Sequence, residues 1–366
     1  MANIQRVQSG SGGSDLFPML PSPLSGLARM AAEASHHADG HDVEFRVLKV
    51  RSLLNKSVSR RQLSLAYSIN PYRGCEFACR YCYARYTHEF LQPVPAAAGT
   101  DEVQPWATAF EREIYLKEHA AWLLEQELRR IDPAQEIAIG TATDPYQPIE
   151  RTAKITRSLL EVFARRSGFR IGIVTKSPLI LRDTDLLVEI ARRNTLVLHL
   201  TITTPDIALA RLLEPRAPRP DLRLDAVRKL REAGLTAGIL CSPLLPGITD
   251  TAEALDAMAS RAAEARASFF AAQPLFLKSC SRPTFLSFVR EHFAHLAADY
   301  EQRFAQTAFA EAPYRRQLEQ QVSRACRQHG LAPRSSDALL TRDVGSPRKP
   351  PAGAPRPLQT QTLLFA

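Results

Sequence analysis

Long apolar runs are absent from this sequence of 366 residues, and only six of those residues are cysteines. No run is long enough to cross a bilayer, so we expect no membrane partner. The first apolar patch, over residues 16–30, is broken by prolines and followed by His36, His37 and Asp39. That pattern does not fit a secretory signal. Cysteines without such a signal are typical of a reducing, cytoplasmic compartment, where thiols stay free to hold iron.

A second CxxC pair and an HxxxH pair are also absent, although Cys75, Cys79 and Cys82 lie close together in the chain. Structural zinc usually takes four ligands as two such pairs, so the pattern disfavours zinc. Three cysteines at these spacings cannot all pair in disulfides without strain. They do place three thiolates around one tight loop, which suits an iron–sulfur cluster. Because a cubane has four irons, one iron would stay open to bind a further molecule.

The remaining cysteines, Cys241, Cys280 and Cys326, are scattered along the chain. Single cysteines of this kind are usually small core or surface residues, so we interpret none of them as a metal ligand. A second cluster would need thiols grouped as closely as the first three.

The two ends of the chain have compositions typical of disorder. Residues 1–45 are rich in Ser, Gly, Pro and Ala, and residues 341–366 combine prolines with basic residues. We therefore predict a disordered N-terminal segment and a Pro-rich basic disordered tail. The formal net charge is +9. Such a charge suits nucleic acid or another acidic surface, and basic tails are also common as solubilising ends.

Between these ends, short apolar runs alternate with amphipathic helices. Strands are predicted at 63–69, 136–140, 171–175, 195–202, 236–241 and 268–272, and helices at 111–131, 154–166, 183–193, 222–233 and 252–265. Such β-then-α units predict an α/β domain over 60–275, with a parallel sheet in either an open doubly wound form or a barrel. Helices at 285–303 and 314–328 form a predicted C-terminal extension over 276–340 that closes the open side.

Polar residues recur where the predicted strands end. The loops after parallel strands gather at one end of the sheet in both architectures, so we expect these residues to converge on the cysteine loop. They would suit a zwitterionic, nucleotide-like ligand. The residues are Thr143, Asp144, Lys176, Thr201, Thr203, Glu214 and Arg216.

The cysteine loop and the strand-end residues resemble those of a known family. Its Cys-x-x-x-Cys-x-aromatic-Cys motif, with Tyr81 as the aromatic residue, resembles that of the radical S-adenosylmethionine (SAM) superfamily. Within it, the chain is similar to the group related to spore photoproduct lyase, often labelled DNA repair photolyase-like proteins. The resemblance spans residues 65–275 and includes Thr143-Asp144, Thr175-Lys176, Glu214-Pro215-Arg216 through Arg223, and Ala233-Gly234.

The resemblance implies a fold and a chemistry. The fold is a partial (β/α)6 TIM-like barrel of six strands with C-terminal helices. The cofactors are a [4Fe–4S] cluster and SAM, whose reductive cleavage gives methionine and a 5′-deoxyadenosyl radical that abstracts hydrogen from a substrate. The implied partners are an electron donor such as flavodoxin or ferredoxin and, as the leading candidate for the substrate, a nucleic acid.

The resemblance also implies a role for each matching residue. Three cysteines ligate iron, Tyr81 packs near the adenine or anchors the loop, and Lys176 meets the SAM carboxylate. Asp144 binds SAM or caps the next turn. Thr143 and Thr201 would form hydrogen bonds to SAM, and Glu214 and Arg216 would form an ion pair over the pocket. Catalytic roles are expected for Tyr81 and Tyr83.

One residue departs from the family pattern. Spore photoproduct lyases carry a cysteine as hydrogen donor two residues before the Thr/Ser-Asp pair, where this chain has Thr141. A hydroxyl O–H bond is too strong to replace that donor, so photoproduct repair by the usual route is not expected. The alternative functions are a nucleic-acid-binding protein with a structural or redox-sensing cluster, and a zinc-stabilised interaction protein.

Overall fold

Two sheets organise the protein in a computed structural model that describes residues 26–56, 66–92, 103–337 and 339. The strands in chain order are β1 Ser35–Gly40, β2 Val43–Leu48, β3 Leu54–Lys56, β4 Tyr67–Ile69, β5 Tyr72–Arg73, β6 Glu113–Lys117, β7 Glu136–Ile139, β8 Arg170–Thr175, β9 Thr195–Thr201, β10 Thr236–Leu244 and β11 Phe270–Pro274.

Helices cover and connect these strands. The α-helices are α1 Gly26–Ala32, α2 Pro105–Ala109, α3 Ala120–Glu127, α4 Glu150–Ala153, α5 Ile155–Ala164, α6 Thr184–Arg193, α7 Ile207–Leu213, α8 Pro220–Glu232, α9 Ala252–Glu264, α10 Arg282–His292, α11 Ala297–Phe304 and α12 Ala312–Gln328. Four 3₁₀ segments lie at Tyr83–Leu91, Leu128–Arg130, Pro178–Asp183 and Ala294–Leu296.

The larger sheet confirms the predicted partial barrel. Its order is β11-β10-β9-β8-β7-β4-β3. Strands β4, β7, β8, β9, β10 and β11 are parallel neighbours in chain order, and β3 adds an antiparallel edge. The sheet is open, with β3 and β11 at its two edges. Because the six parallel strands run in the same direction, their carboxyl ends all lie on one side of the sheet.

Continuous apolar strands explain this architecture. Ile137, Ile171, Leu198 and Ile239 are fully buried, as expected for strands that are covered on both faces. The apolar stripe of α5, including Phe163, packs against them in the main core. Each such side chain contributes about 1.5–3 kcal/mol by leaving water, so the sheet and its helices form one large core.

The helix predicted over 111–131 is wrong in its first part, which forms the strand β6. Ile114 and Leu116 are buried in the smaller sheet, whose order is β1-β2-β6-β5. The chain then turns at His119, with φ of 54°, before α3 begins. Apolar residues in this segment fit a helical stripe as well as an alternating strand, and pairing with β2 and β5 decides for the strand.

The N-terminal prediction of disorder over 1–45 differs from the structure, which places α1, β1 and part of β2 between residues 26 and 45. Val43 and Phe45 are buried against Tyr72 and Ile114, so this small sheet has an apolar core of its own. Residues 1–25 and the predicted tail at 341–366 lie outside the described residues. The helix predicted at 285–303 is interrupted, because Phe293 adopts a non-helical conformation with φ of −140°.

Gly74 provides a direct test of how the chain enters the cysteine loop. Its φ is +86°, and an added Cβ would lie 2.7 Å from the Glu113 carbonyl oxygen and 2.9 Å from that of Phe110. We expect Gly74→Ala to lower the free energy of unfolding by about 3 kcal/mol through strain and backbone clash. Gly234→Ala is the matched control, because Gly234 has φ of +80° and open space around it. That variant should lose about 1 kcal/mol. Equal losses in urea unfolding would contradict the role of the clash.

Candidate functional site

Three free thiols lie in one buried loop that follows β5. Cys79 is buried, Cys75 and Cys82 are half-buried, and none forms a disulfide. Burial raises the pKa of all three thiols, that of Cys79 to about 12. Without a positive charge bound to them they therefore stay protonated at neutral pH. A metal that binds here has to displace those protons, as thiolate ligands require.

The loop after β7 holds the cysteine loop from one side. The Thr143 hydroxyl donates to the Gly74 carbonyl at 2.6 Å. The Glu76 backbone N–H donates to Gln147 Oε1 at 2.9 Å, and the Glu76 carboxylate accepts from the Ile149 N–H at 2.9 Å. The Thr143 hydroxyl proton is therefore directed to the Gly74 carbonyl of the backbone, and a hydrogen bond between Thr143 and SAM stays a prediction.

Two further residues hold the loop, Arg85 shortly after Cys82 and Ser281 from far along the chain. Arg85, buried and paired with Glu111 at 2.5 Å, donates to the Cys79 carbonyl at 3.2 Å. Ser281 donates to the Cys82 carbonyl at 2.5 Å across a separation of 199 residues. Sequence reasoning missed both contacts, because neither residue belongs to a motif and because only the fold brings Ser281 to the loop.

Glu214 is the centre of a buried polar cluster beside the loop. Its carboxylate lies 3.1 Å from Lys176 Nζ and 2.5 Å from Arg223 Nη2, and it accepts hydrogen bonds from the hydroxyls of Thr203 and Tyr81. Burial opposes ionisation, but the charges of Arg223 and Lys176 outweigh it and hold the pKa of Glu214 well below its usual range. The carboxylate is therefore charged at every physiological pH.

This polar cluster brings the predicted residues Glu214, Lys176 and Tyr81 together. Lys176 Nζ lies 5.6 Å from the centre of the Tyr81 ring, and its charge partly opposes the burial that raises the pKa of Cys79 and Cys82. Tyr81 is buried within the cysteine loop, with its hydroxyl fixed by Glu214 and 2.9 Å from the Thr203 hydroxyl. The geometry therefore places an ammonium group and a fixed aromatic ring next to the thiols.

Asp144 sits at the junction between two strand-end loops. It accepts hydrogen bonds from the Thr175 hydroxyl at 2.7 Å, the Lys176 N–H at 2.7 Å and the Tyr146 N–H at 2.9 Å. Burial nevertheless raises the pKa of its carboxyl above the usual value. These contacts fit the predicted role as a turn cap, and they set the direction in which Lys176 leaves β8. Binding of SAM by Asp144 stays a prediction.

The predicted ion pair between Glu214 and Arg216 is wrong. Arg216 is exposed and donates to the Glu111 carbonyl at 3.2 Å. The arginine that pairs with Glu214 is Arg223 of α8, which also donates to the Thr201 carbonyl at 3.0 Å. Glu214 ends α7 and the first turn of α8 folds back over it, so Arg223 is the arginine that reaches the carboxylate. Thr201 is buried at the end of β9, and its bond to SAM stays a prediction.

Tyr83 lies at the rim of the site. Its side chain is 37% exposed, and its hydroxyl donates to the carbonyl of Thr141. Burial around the hydroxyl raises its pKa above the usual value. The second candidate catalytic tyrosine is therefore next to the position at which the chain departs from the family pattern.

The described residues contain neither a convergent group of metal ligands nor a helix that could cross a membrane. No group of three or more His, Cys, Asp or Glu side chains among them is arranged around a single metal ion. Ligands of a cubane bind separate irons, so they do not have to converge on one point. In the same part of the chain, every helix is too short or too polar to span a bilayer.

Comparison with known proteins identifies the class. A model of the Radical SAM superfamily matches residues 69–259, just over half of the chain. The chain therefore belongs to the radical SAM superfamily. It is an enzyme of that superfamily, whose cofactors are a [4Fe–4S] cluster and SAM.

Curated relatives and solved structures agree with this assignment. An uncharacterised protein of Mycobacterium tuberculosis is 31% identical over 332 residues, which cover 88% of this chain and 94% of that protein. One of Methanocaldococcus jannaschii is 30% identical over 184 residues, covering 50% of this chain and 62% of that protein. A spore photoproduct lyase complexed with dinucleoside spore photoproduct matches with a TM-score of 0.54 at 16% identity, over 78% of this chain and 79% of that one. The last similarity concerns the fold.

Replacing Glu214 tests the buried cluster. Glu214→Gln keeps the shape but leaves Arg223 and Lys176 without their counter-charge, so we expect a loss of about 3 kcal/mol in the free energy of unfolding at pH 7. The folded pKa of Glu214 lies below the unfolded one, so this difference should shrink as the pH falls below about 4.3. Asp221→Asn, which removes an exposed pair with Arg219, should change nothing measurable. A pH-independent gap in urea unfolding would contradict the assignment.

Proposed function

We propose that Cys75, Cys79 and Cys82 each bind one iron of the [4Fe–4S] cluster and leave the fourth iron to SAM. The observation that supports this most directly is the set of three free thiols in one loop, held by protein contacts on both sides. When bound, the cluster supplies one electron that cleaves SAM to methionine and a 5′-deoxyadenosyl radical. A substrate carbon then gives up a hydrogen atom to that radical.

The residues around the loop bind and orient SAM in this proposal. Lys176, beside the thiols and fixed by Glu214, attracts the carboxylate of the methionine part as a point charge. The buried Tyr81 ring offers a rigid apolar face to the adenosine part. Thr201 provides a hydroxyl at the same strand ends. Burial of the polar residues around Glu214 shields the radical from outside hydrogen donors such as thiols, with which it would otherwise react.

Metal analysis of the anaerobically purified protein tests the ligands. Wild type should carry four irons per chain, and Cys79→Ala should lose most of that iron because two thiolates cannot hold the cubane. Cys326→Ala is the matched control, since Cys326 is a buried cysteine of α12 that lies 3.5 Å from the Phe270 carbonyl. Zinc in place of iron, or full iron content in Cys79→Ala, would contradict the ligand assignment.

The same preparation separates two candidate functions. With dithionite and SAM, the proposed enzyme releases 5′-deoxyadenosine. A protein that retains its iron but forms no 5′-deoxyadenosine under strict exclusion of oxygen would instead fit a structural or redox-sensing cluster.

We further infer that the substrate is a nucleic acid that presents an unpaired base. An aromatic surface formed by Tyr83, Phe276 and Phe309 supports this. The Phe276 and Phe309 rings stack at 4.5 Å, Tyr83 lies 5.7 Å from Phe276, and Tyr83 and Phe309 are 37% and 39% exposed. An antiparallel bridge between residues 276 and 309 fixes these rings. Exposed aromatic rings of this kind bind bases by stacking without regard to sequence.

The chemistry beside this aromatic surface differs from that expected of a photoproduct lyase. Thr141, whose carbonyl accepts from the Tyr83 hydroxyl, stands where those enzymes carry a cysteine that donates hydrogen. Its O–H bond is too strong for that step. We therefore propose that the enzyme acts on a nucleic acid without repairing spore photoproduct by the cysteine route, and that Tyr83, hydrogen-bonded to the Thr141 carbonyl, is a candidate for hydrogen transfer at this position.

Affinity for a single-stranded oligonucleotide tests the aromatic surface. Phe309→Ala should weaken binding roughly tenfold, because one stacking ring is lost. Trp122→Ala is the matched control, since Trp122 is an aromatic residue of α3 that is 63% exposed and does not belong to this aromatic surface. The affinity of that variant should equal that of wild type. Fluorescence anisotropy with a labelled oligonucleotide measures both, and an unchanged midpoint of thermal unfolding confirms that each variant is folded. Equal affinities of all three proteins would argue against this surface.

A further inference from the structure

We propose that α7 and the turn that follows it form the docking surface for a small acidic electron carrier. This surface is defined by Ile207, Arg211, Leu212, Arg216 and Arg219, and is called the α7 surface below. The inference rests on the proposed function, because the cluster has to receive one electron for each SAM that is cleaved.

The α7 surface lies directly behind the cysteine loop. The N–H of Arg80, the residue after Cys79, donates to the Leu213 carbonyl at 2.9 Å, and the N–H of Arg216 donates to the Phe77 carbonyl at 3.4 Å. Leu213 and Ala217 are buried in the same apolar cluster as Cys79. A protein that covers the outer face of α7 is therefore separated from the cysteine loop by one helix and the hydrogen bonds that join it to the loop.

The outer face of α7 exposes two large apolar side chains to solvent. Ile207 is 44% exposed and Leu212 is 42% exposed, although both belong to a helix whose inner side is buried. Ile207, Arg211 and Arg219 line one shallow groove between α7 and α8. Apolar residues next to arginines are typical of protein interfaces, which are enriched in arginine and depleted of lysine and acidic residues.

The charge of this surface points to an acidic partner. Arg211 and Arg216 donate to the carbonyls of Pro215 and Glu111, and neither forms an ion pair with a carboxylate among the described residues. Arg219 is paired with Asp221. The nearby Asp206 carboxylate accepts from the N–H groups of Ala208 and Leu209 at the start of its own helix. Arg211 therefore faces solvent without a carboxylate partner among the described residues, and the charge of Arg216 is only partly offset by the buried Glu76 carboxylate.

A transient electron-transfer complex needs only a small surface of complementary charge. Such encounters bury little surface, and complementary charge raises their association rate and makes it sensitive to salt. The electron balance is simple: a reduced flavin or iron–sulfur carrier loses one electron, the cluster gains it, and no bond is made or broken at the surface. Reduced flavodoxin or ferredoxin is the class of carrier that the α7 surface would accept.

Charge reversal at Arg211 separates docking from chemistry. Stopped-flow bleaching of the cluster by reduced flavodoxin should be roughly tenfold slower in Arg211→Glu than in wild type at low salt, and the two rates should converge as salt is added. Bleaching by dithionite, a small reductant that needs no docking surface, should stay within about twofold of wild type. Arg316→Glu on α12 makes the same charge change on an exposed arginine of another helix, and its two rates should equal those of wild type.

Removing the apolar contribution provides a second variant and a second readout. Leu212→Ser should weaken binding of oxidised flavodoxin, measured by calorimetry, while it retains the salt dependence of wild type. Equal flavodoxin rates for wild type, Arg211→Glu and Arg316→Glu would overturn the proposal, and so would a matching loss with dithionite. These readouts follow carrier binding and cluster reduction without SAM. A failure to form 5′-deoxyadenosine with dithionite and SAM would therefore count against the proposed function rather than against the docking surface.

Discussion

The charged carboxylate of Glu214 is the contact on which the site depends. It lies at the end of α7 and joins Lys176 at the end of β8, Thr203 beyond β9, Arg223 of α8 and Tyr81 of the cysteine loop. Buried charges are costly unless they are fully paired and hydrogen-bonded. Because one carboxylate satisfies two cations and two hydroxyls, each of these elements has only one favourable position relative to the others.

These contacts of Glu214 connect the ends of the parallel strands to the position of the Lys176 charge. Parallel strands bring their carboxyl ends to one side, but this alone leaves long side chains free to point in several directions. Asp144 fixes the backbone of Lys176, and Glu214 fixes its ammonium group. The result is a positive charge held near the thiols of Cys79 and Cys82, in a region where burial makes electrostatic interactions strong.

Much of the fold and part of the candidate site could be predicted from the sequence. Buried parallel strands are continuous apolar runs and their helices carry one apolar stripe, so the six β/α units are visible along the chain. The cysteine spacing alone indicates the cluster loop. The strand β6 could not be recognised, because Ile114 and Leu116 fit a helical stripe until pairing with β2 is known. The choice between Arg216 and Arg223 as the partner of Glu214 depends on how α8 turns back. The contact from Ser281 to Cys82 depends on the whole fold.

The hydrogen bonds of Thr143, Gln147, Arg85 and Ser281 to the cysteine loop come entirely from the polypeptide. Small zinc domains, in contrast, are unfolded until their metal binds. Here the loop is joined by these hydrogen bonds to the loop after β7 and to Ser281 at the start of α10, so the polypeptide itself contributes to the shape of the loop. A change to any of these four side chains would therefore reach the three thiols through the backbone of the loop.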